Sequence, residues 1–550
     1  MPHSPDLDRL AATVLQPGFA GTSAPGWLLR RLAGGLGGVV LFARNISEDT
    51  AGLVRRLREE NPEVIVAVDE EGGTVTRLEA ATGSSWPGNA ALGVVDDTGV
   101  TERTGEEIGL LLGAAGITMD YAPDVDVNAD PRNPVIGVRS FGADAALVAR
   151  HAAAWITGLQ GTGVAACAKH FPGHGDTVTD SHLALPAVHA SRELLDRRDL
   201  PPFRAAIAAG VRAIMCGHLM VPALDPVLPA TLSRRVLTGL LREELGFQGL
   251  VVTDAIDMKA VSARLPQPEI AVRALAAGAD ALCLGASDPE GDTLAALREA
   301  IVRAVHDGTL EETRLAEAAS RVRALGAHGT PPAPEDRTGP GPAPLTAGPA
   351  RESLAAGPAR ESLSAGPGRE PPMVDRAGVV LDPGHRVSLL GLETARRALR
   401  VTGRTARPVL TGPPVVVEMT ARPHQAAAAA RYGPGDALAA RLPGTVLTTL
   451  TPSHHDLPAL GDPAPSHDLP ASRGPAGRRG PAGAPLVVVT HDAHRHAWMR
   501  RVLAEILLRR PDAIVVEMGL PGPPAGALHL TTHGESRASS LAVAEWLTRP

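Results

Sequence analysis

Aromatic side chains are scarce: six Phe, two Tyr and five Trp are 2% of 550 residues. The C-terminal part has few of them, which argues against a sugar-stacking platform there, because such platforms use aromatic faces. Cysteine is nearly absent. Cys167, Cys216 and Cys283 show no CxxC spacing, and each sits in an apolar run. A disulfide framework is excluded, and small buried hydrophobes are expected. Net charge is only −7, which excludes a nucleic-acid or anionic-membrane binder built on bulk charge. No apolar run approaches the ~20 residues that span a bilayer. The opening MPHSPDLDRLAATVLQ lacks a basic segment followed by an apolar one, so a cytoplasmic protein is expected.

What is present is an ordinary globular balance, 44% hydrophobic and 21% charged, over a length that calls for more than one domain. The 59 Gly and 50 Pro point to local low-complexity stretches. Residues 1–328 alternate short apolar runs with segments of helical periodicity. The runs are 38–43, 64–68, 119–123, 164–168, 213–216, 250–253 and 281–284, with helices expected at 191–208 and 294–304. Such alternation predicts parallel strands joined by crossover helices. Several runs end in charged or imidazole groups: Asp69-Glu70-Glu71, Lys169-His170, Gly217-His218 and Asp254. Polar groups at the C-terminal ends of at least four strands suit the top face of a (β/α)8 TIM-type barrel. A doubly wound sheet would gather them at one switch point.

Residues 329–375 break the pattern. TAGPARESL is followed by AAGPARESL and SAGPGRE, which has no apolar face to bury and predicts a flexible linker. Residues 376–550 predict a smaller α/β sandwich domain. Its strands are expected at 414–420, 445–450, 485–491, 513–519 and 527–532, its helix at 496–509, and a disordered loop near 453–483. Three of those strands open onto Glu418, Thr490-His491 and Glu517, read as satisfied polar strand ends. A packing or oligomerisation role is expected for this domain.

Chemistry concentrates in KHFPGHGDTVTDSH, 169–182, where Pro and Gly preclude a helix. Three readings stand side by side. His and Asp together can bind a metal, although the spacing fits no closed zinc pattern. His174 and Asp176 suit a hydrogen-bonded structural loop. Asp180 and His182, two residues apart, suit an acid/base pair in which the carboxylate fixes the imidazole tautomer. Asp254, just after an apolar run, sits where a covalent nucleophile belongs, and Asp257 where a helix cap does. Asp69 and Arg77 suit polyol recognition, with a surface ion pair as the other reading of Glu70, Glu71 and Arg77. Asp124 and Asp126 suit a loop ion-pair network, and Arg139 suits a hydroxyl or carbonyl ligand.

AVDEEGGTVTR (67–77), YAPDVDVN with VIGVRSFG (121–142), KHFPGHGDTVTDSH (169–182) and VVTDAIDM (251–258) together resemble glycoside hydrolase family 3, in its β-N-acetylhexosaminidase branch. The resemblance implies a (β/α)8 barrel, no metal and no organic cofactor. It implies Asp254 as nucleophile and His182 as general acid/base with Asp180 as its partner. It implies Asp69, Arg77, Arg139, Lys169 and His170 as ligands of a terminal N-acetylglucosamine. The implied substrates are β-N-acetylglucosaminides, including cell-wall fragments; the small net charge argues separately against nucleic-acid and membrane partners. Family members with a histidine donor include phosphorylases, and a β-glucosidase or a catalytically inactive sugar-binding protein remain alternatives. Glycines in the 169–182 loop suggest closure over substrate. Two departures stand out: Ala255 follows Asp254 where a second Asp is common, and Glu70 replaces a common Gln.

Overall fold

The structure is a computed structural model that describes residues 5–180, 184–287, 291–328, 373–374, 379–381, 387–403, 409–420, 432–453 and 483–549. The linker expected at 329–375 lies outside the described residues except for Met373–Val374, as does most of the loop expected near 453–483.

Eight strands form the first sheet: β1 (Leu15–Gly18), β2 (Gly38–Leu41), β3 (Ile65–Val68), β4 (Met119–Asp120), β5 (Ala165–Phe171), β6 (Ala213–Cys216), β7 (Leu250–Thr253) and β8 (Leu282–Ser287). All pair in parallel in the order β7-β6-β5-β4-β3-β2-β1-β8. A parallel bridge between Val252 and Ala281 joins β7 to β8. The sheet therefore closes on itself as the expected barrel. Its strands are buried on both faces, which is why they read as unbroken apolar runs rather than alternating ones. Val40, Ile65, Ala67, Met119 and Cys167 fill the interior. Their neighbours Val39, Leu41, Val64, Val66 and Val68 pack outward against the helices. All three cysteines are free and buried.

Two local features depart from expectation. The eighth strand is β1, whose sequence Leu-Gln-Pro-Gly carries no apolar run. The helix expected over 191–208 is two, Arg192–Arg198 and Leu200–Ala208, because Pro201 and Pro202 cannot continue a helix and instead begin one.

The second domain holds a small antiparallel sheet, β9 (Met373–Val374), β10 (Val379–Leu381) and β11 (Val387–Ser388). Its main sheet contains β12 (Arg400–Gly403), β13 (Val415–Met419), β14 (Val446–Leu450), β15 (Leu486–Thr490), β16 (Ile514–Glu517) and β17 (Leu528–Thr531), ordered β12-β17-β16-β15-β13-β14. Only β12 runs antiparallel to its neighbour. Apolar clusters on both faces of this sheet make it an α/β sandwich. Glu517 accepts from Thr490 Oγ1 at 2.9 Å and from the backbone of Asp492, Ala493 and Gly519. The C-terminal ends of its parallel strands lead into loops that meet the barrel's top face. His494 Nε2 lies 3.3 Å from the Pro131 carbonyl, and Arg537 reaches Ser85. Among the described residues no helix is long and apolar enough to cross a membrane.

Candidate active site

A cavity of about 340 Å³ opens at the C-terminal ends of the barrel strands, and Asp69, Arg77, Arg139, Lys169, His170 and Asp254 all line it. Six residues separated by up to 185 positions converge because four lie at strand ends and two, Arg77 and Arg139, are carried by the loops that follow β3 and β4. Asp69 follows β3, Lys169 and His170 lie within β5, and Asp254 follows β7. Asp254 is held by a backbone N–H donated to the Cys216 carbonyl at 2.9 Å, and its Oδ1 accepts from Ala255 N at 2.8 Å.

The polar wall is an interlocked ion network. Lys169 Nζ lies 2.8 Å from Asp69 Oδ1 and 2.6 Å from Glu71 Oε1. Arg139 grips Glu71 with both prongs, Nε to Oε2 at 2.9 Å and Nη2 to Oε1 at 2.7 Å. Arg77 Nη2 is 3.5 Å from Asp69 Oδ2. Burial opposes the charge on Asp69, but Lys169 and Arg77 outweigh it and hold the carboxyl below its usual range. The same contest, won by Arg139 and Lys169, lowers Glu71. Lys169 and Arg139 are raised in turn, their burial outweighed by these carboxylates. The wall therefore presents fixed charges and directional donors and acceptors, which is what hydroxyl recognition requires.

Glu70 and Glu71 are not the surface ion pair that one reading allowed, since both are buried. Glu70 Oε2 accepts from the backbone N–H of Arg77 at 2.7 Å and of Leu78 at 2.9 Å. Burial pushes its carboxyl up to about 7.

Behind the wall, His170 Nδ1 lies 2.7 Å from Asp126 Oδ2, and Asp126 Oδ1 accepts from His174 N at 2.6 Å. Burial and the nearby Arg139 press His170 down to about 4, so its ring is neutral at pH 7. Asp124 is pushed up to about 7 by burial and by Asp126. Ligand atoms of Asp124, Asp126 and His170 lie within 4.8 Å of one another, close enough to hold a divalent ion. The donor set suits one poorly: Arg139 Nη2 stands 3.6 Å from Asp124 Oδ2, and His170 and Asp126 are bonded to each other.

The loop after β5 is fixed at several points. His174 Nδ1 meets Thr177 Oγ1 at 2.7 Å, and Arg198 Nη2 donates to Asp176 Oδ2 at 2.8 Å. Its glycines have a packing reason. A Cβ on Gly175 would stand 1.8 Å from the Val127 carbonyl oxygen, and one on Gly173, at φ +129°, 2.8 Å from the Asp199 side chain. Close approach alone requires glycine at both positions. Asp180 is partly buried at the end of this loop and is not among the residues lining the cavity; His182 lies outside the described residues. Asp257 does not cap the following helix. Met258 holds the N-cap position, and Asp257 Oδ1 accepts from Gly285 N at 2.7 Å.

Sequence reasoning passed over the apolar side of the cavity: Phe42, Tyr121, Met215 and Met258, with Arg44 4.3 Å over the Phe42 ring. Phe42 directly follows β2, a position that signals the barrel mouth once the barrel is known. A larger hollow of about 590 Å³ lies at the opposite end of the barrel. Its arginines 242, 314 and 321 are engaged by the buried Asp280, so it reads as a clamp on the barrel floor.

The model of the glycosyl hydrolase family 3 N-terminal domain matches residues 31–325. Over 271 residues the chain is 36% identical to beta-hexosaminidase A of Pseudoalteromonas piscicida, covering 44% of this chain and 45% of the relative. Over 314 residues it is 35% identical to a beta-N-acetylglucosaminidase/beta-glucosidase of Cellulomonas fimi, covering 54% and 53%. The chain thus spans about half the length of these two curated relatives. Among solved structures, a glycoside hydrolase family 3 beta-N-acetylglucosaminidase from Paenibacillus sp. str. FPU-7 is similar with a TM-score of 0.76 and 29% identity, covering 98% of this chain and 96% of that one.

Proposed function

The chain belongs to glycosyl hydrolase family 3, and from that premise we propose that it is a retaining exo-β-N-acetylglucosaminidase. The observation that carries the reading is the convergence of Asp254 with Asp69, Arg77, Arg139, Lys169 and His170 on one cavity. A carboxylate facing a wall of fixed hydroxyl ligands is the arrangement that nucleophilic displacement at an anomeric carbon needs. The names of the relatives support the N-acetylglucosaminide. A cavity of about 340 Å³ suits a terminal sugar better than the interior of a polymer.

In this reading the wall residues hold the hydroxyls of the terminal sugar and set C1 over Asp254. An Asp254 oxygen forms a bond to C1 as the glycosidic C–O bond breaks. His182, oriented by Asp180, gives its proton to the departing oxygen. The same imidazole then takes a proton from water, which attacks C1, releases the sugar with its β configuration kept, and frees Asp254. His170 stays neutral, bonded to Asp126, and serves binding rather than proton transfer. The substrates proposed are small cell-wall fragments met in the cytoplasm.

The Cellulomonas fimi relative carries both activities in its name, so a β-glucoside is the competing substrate. The test is turnover of an aryl β-N-acetylglucosaminide beside the aryl β-glucoside, with and without phosphate. Preferential cleavage of the former, at a rate indifferent to phosphate, is expected. Preference for the glucoside would overturn the substrate, and phosphate-dependent release of a sugar phosphate would make the enzyme a phosphorylase. His182→Ala is expected to slow substrates with poor leaving groups far more than activated aryl glycosides, which leave without a proton. Equal slowing of both would remove His182 from the acid/base role.

A further inference from the structure

We propose that Arg537, in the second domain, is a positioning residue for the sugar subsite of the barrel, acting through Glu79 to hold the loop that carries Arg77. The inference rests on Arg77 as a sugar ligand, the reading given above, and it assigns the second domain a part in substrate binding.

The loop from Asp69 to Gly88 leaves β3 carrying both Asp69 and Arg77. Its near end is tied by Glu70, which accepts from Arg77 N and Leu78 N. Its far end is tied by Glu79, whose Oε2 accepts from Ser85 N at 2.6 Å and whose Oε1 accepts from Ser85 Oγ at 2.5 Å. Between these ties the turn is tight: Gly83 N donates to the Glu79 carbonyl at 2.8 Å, and Glu79 N to Thr76 Oγ1 at 3.1 Å. A shift of Glu79 therefore reaches Arg77, two residues away.

Glu79 and Ser85 are held from outside the barrel. Arg537 Nη2 lies 3.0 Å from Ser85 Oγ and 3.3 Å from Glu79 Oε1. The Arg537 side chain is 4% exposed and that of Glu79 16%, so water competes little for the pair. Arg537 also opens the helix Arg537–Thr548, and its backbone N–H donates to the Ser84 carbonyl at 3.0 Å. A free donor of the helix's first turn is thereby satisfied by the barrel loop. Arg537 thus holds the loop at three residues, Ser84 through its backbone and Ser85 and Glu79 through its guanidinium.

Gly391 and Gly534 also pack against this loop, at Ser85 and Pro87, but one ion pair between the domains lies away from it. Arg397 Nη2 meets Asp97 Oδ2 at 3.0 Å, with both side chains 41% exposed, at the start of the helix Thr98–Ala114. It serves as the control for a merely structural role.

The test uses the full chain with Arg537→Ala, Arg537→Lys, Glu79→Gln and Arg397→Ala. It reads kcat and KM on an aryl β-N-acetylglucosaminide, and the Kd of free N-acetylglucosamine by calorimetry. Loss of a ligand that binds ground and transition states alike raises KM with kcat little changed. Arg537→Ala is expected to raise KM and Kd together by roughly tenfold, with kcat within about threefold of wild type. Arg537→Lys, which keeps the charge, recovers part of the loss; Glu79→Gln shares the defect; Arg397→Ala matches wild type. Unchanged KM and Kd in Arg537→Lys and Glu79→Gln, or equal defects in Arg397→Ala, would overturn the proposal, including where Arg537→Ala fails to fold. Wild type that binds N-acetylglucosamine without cleaving the glycoside would instead overturn the functional reading. The Kd comparison would still decide the role of Arg537.

Discussion

Replacing Glu71 tests whether the ion network is the frame of the site. Its side chain is 2% exposed and carries three charge-assisted bonds, two to Arg139 and one to Lys169. Both cations are themselves buried, at 4% and 2% side-chain exposure. Glu71→Gln keeps the volume but removes the charge. Lys169 retains Asp69 at 2.8 Å, whereas the nearest acid left to Arg139 is Asp124, at 3.6 Å. Breaking a buried pair by deleting one partner costs about 3–5 kcal/mol. Released from its bidentate grip, Arg139 also shifts within the cavity, and a displacement near 1 Å costs about 10²-fold in rate. The assay pairs denaturation, followed by circular dichroism, with kcat/KM on an aryl β-N-acetylglucosaminide. Glu71→Gln is expected to lose about 3 kcal/mol or more of stability and about two orders of magnitude in kcat/KM. Stability within about 1 kcal/mol of wild type and kcat/KM within about threefold would refute the reasoning, since exposed ion pairs behave that way.

Two further outcomes are expected. Folded Glu70 keeps its proton to about pH 7, whereas the unfolded chain releases it near the ordinary carboxyl value of 4.5. The folded state therefore binds more protons between those values, and stability falls as pH rises through that window, by roughly 3 kcal/mol in all. Glu70→Gln is expected to flatten this slope relative to wild type in denaturation at pH 4.5, 6 and 8; an unchanged slope would contradict the assignment. Asp280, fully buried on the barrel floor, pairs with Arg242 at 2.5 Å, with Arg321 at 3.2 Å and with Arg314. Asp280→Ala is expected to lower the melting temperature through a loss of about 3–5 kcal/mol while leaving KM unchanged, and a raised KM would tie the floor to the site.

The barrel was legible because parallel strands buried on both faces leave continuous apolar runs, and because 64–68, 164–168 and 250–253 are each followed by a charged residue. β1 was not, since Leu-Gln-Pro-Gly has a strand's position without a strand's composition. The split at Leu200 was written in Pro201-Pro202, but the periodicity on either side hid it. Glu71 lies in a run of three acids that looks solvated in sequence; only the fold brings Arg139 and Lys169 onto it. The bond between Arg537 and Glu79 joins residues 458 positions apart, a distance no local pattern reports.

The central claim is covalent catalysis by Asp254, and the most direct test is to trap the intermediate. A 5-fluoro-N-acetylglucosaminyl donor with an activated leaving group slows the second step more than the first, because fluorine destabilises the oxocarbenium-like transition state. Intact-mass spectrometry is expected to show one added fluoro-sugar per chain. Peptide mapping is expected to place it on the segment Val251–Met258, with no adduct in Asp254→Ala. Inactivation without an adduct, or an adduct that persists in Asp254→Ala, would contradict the account.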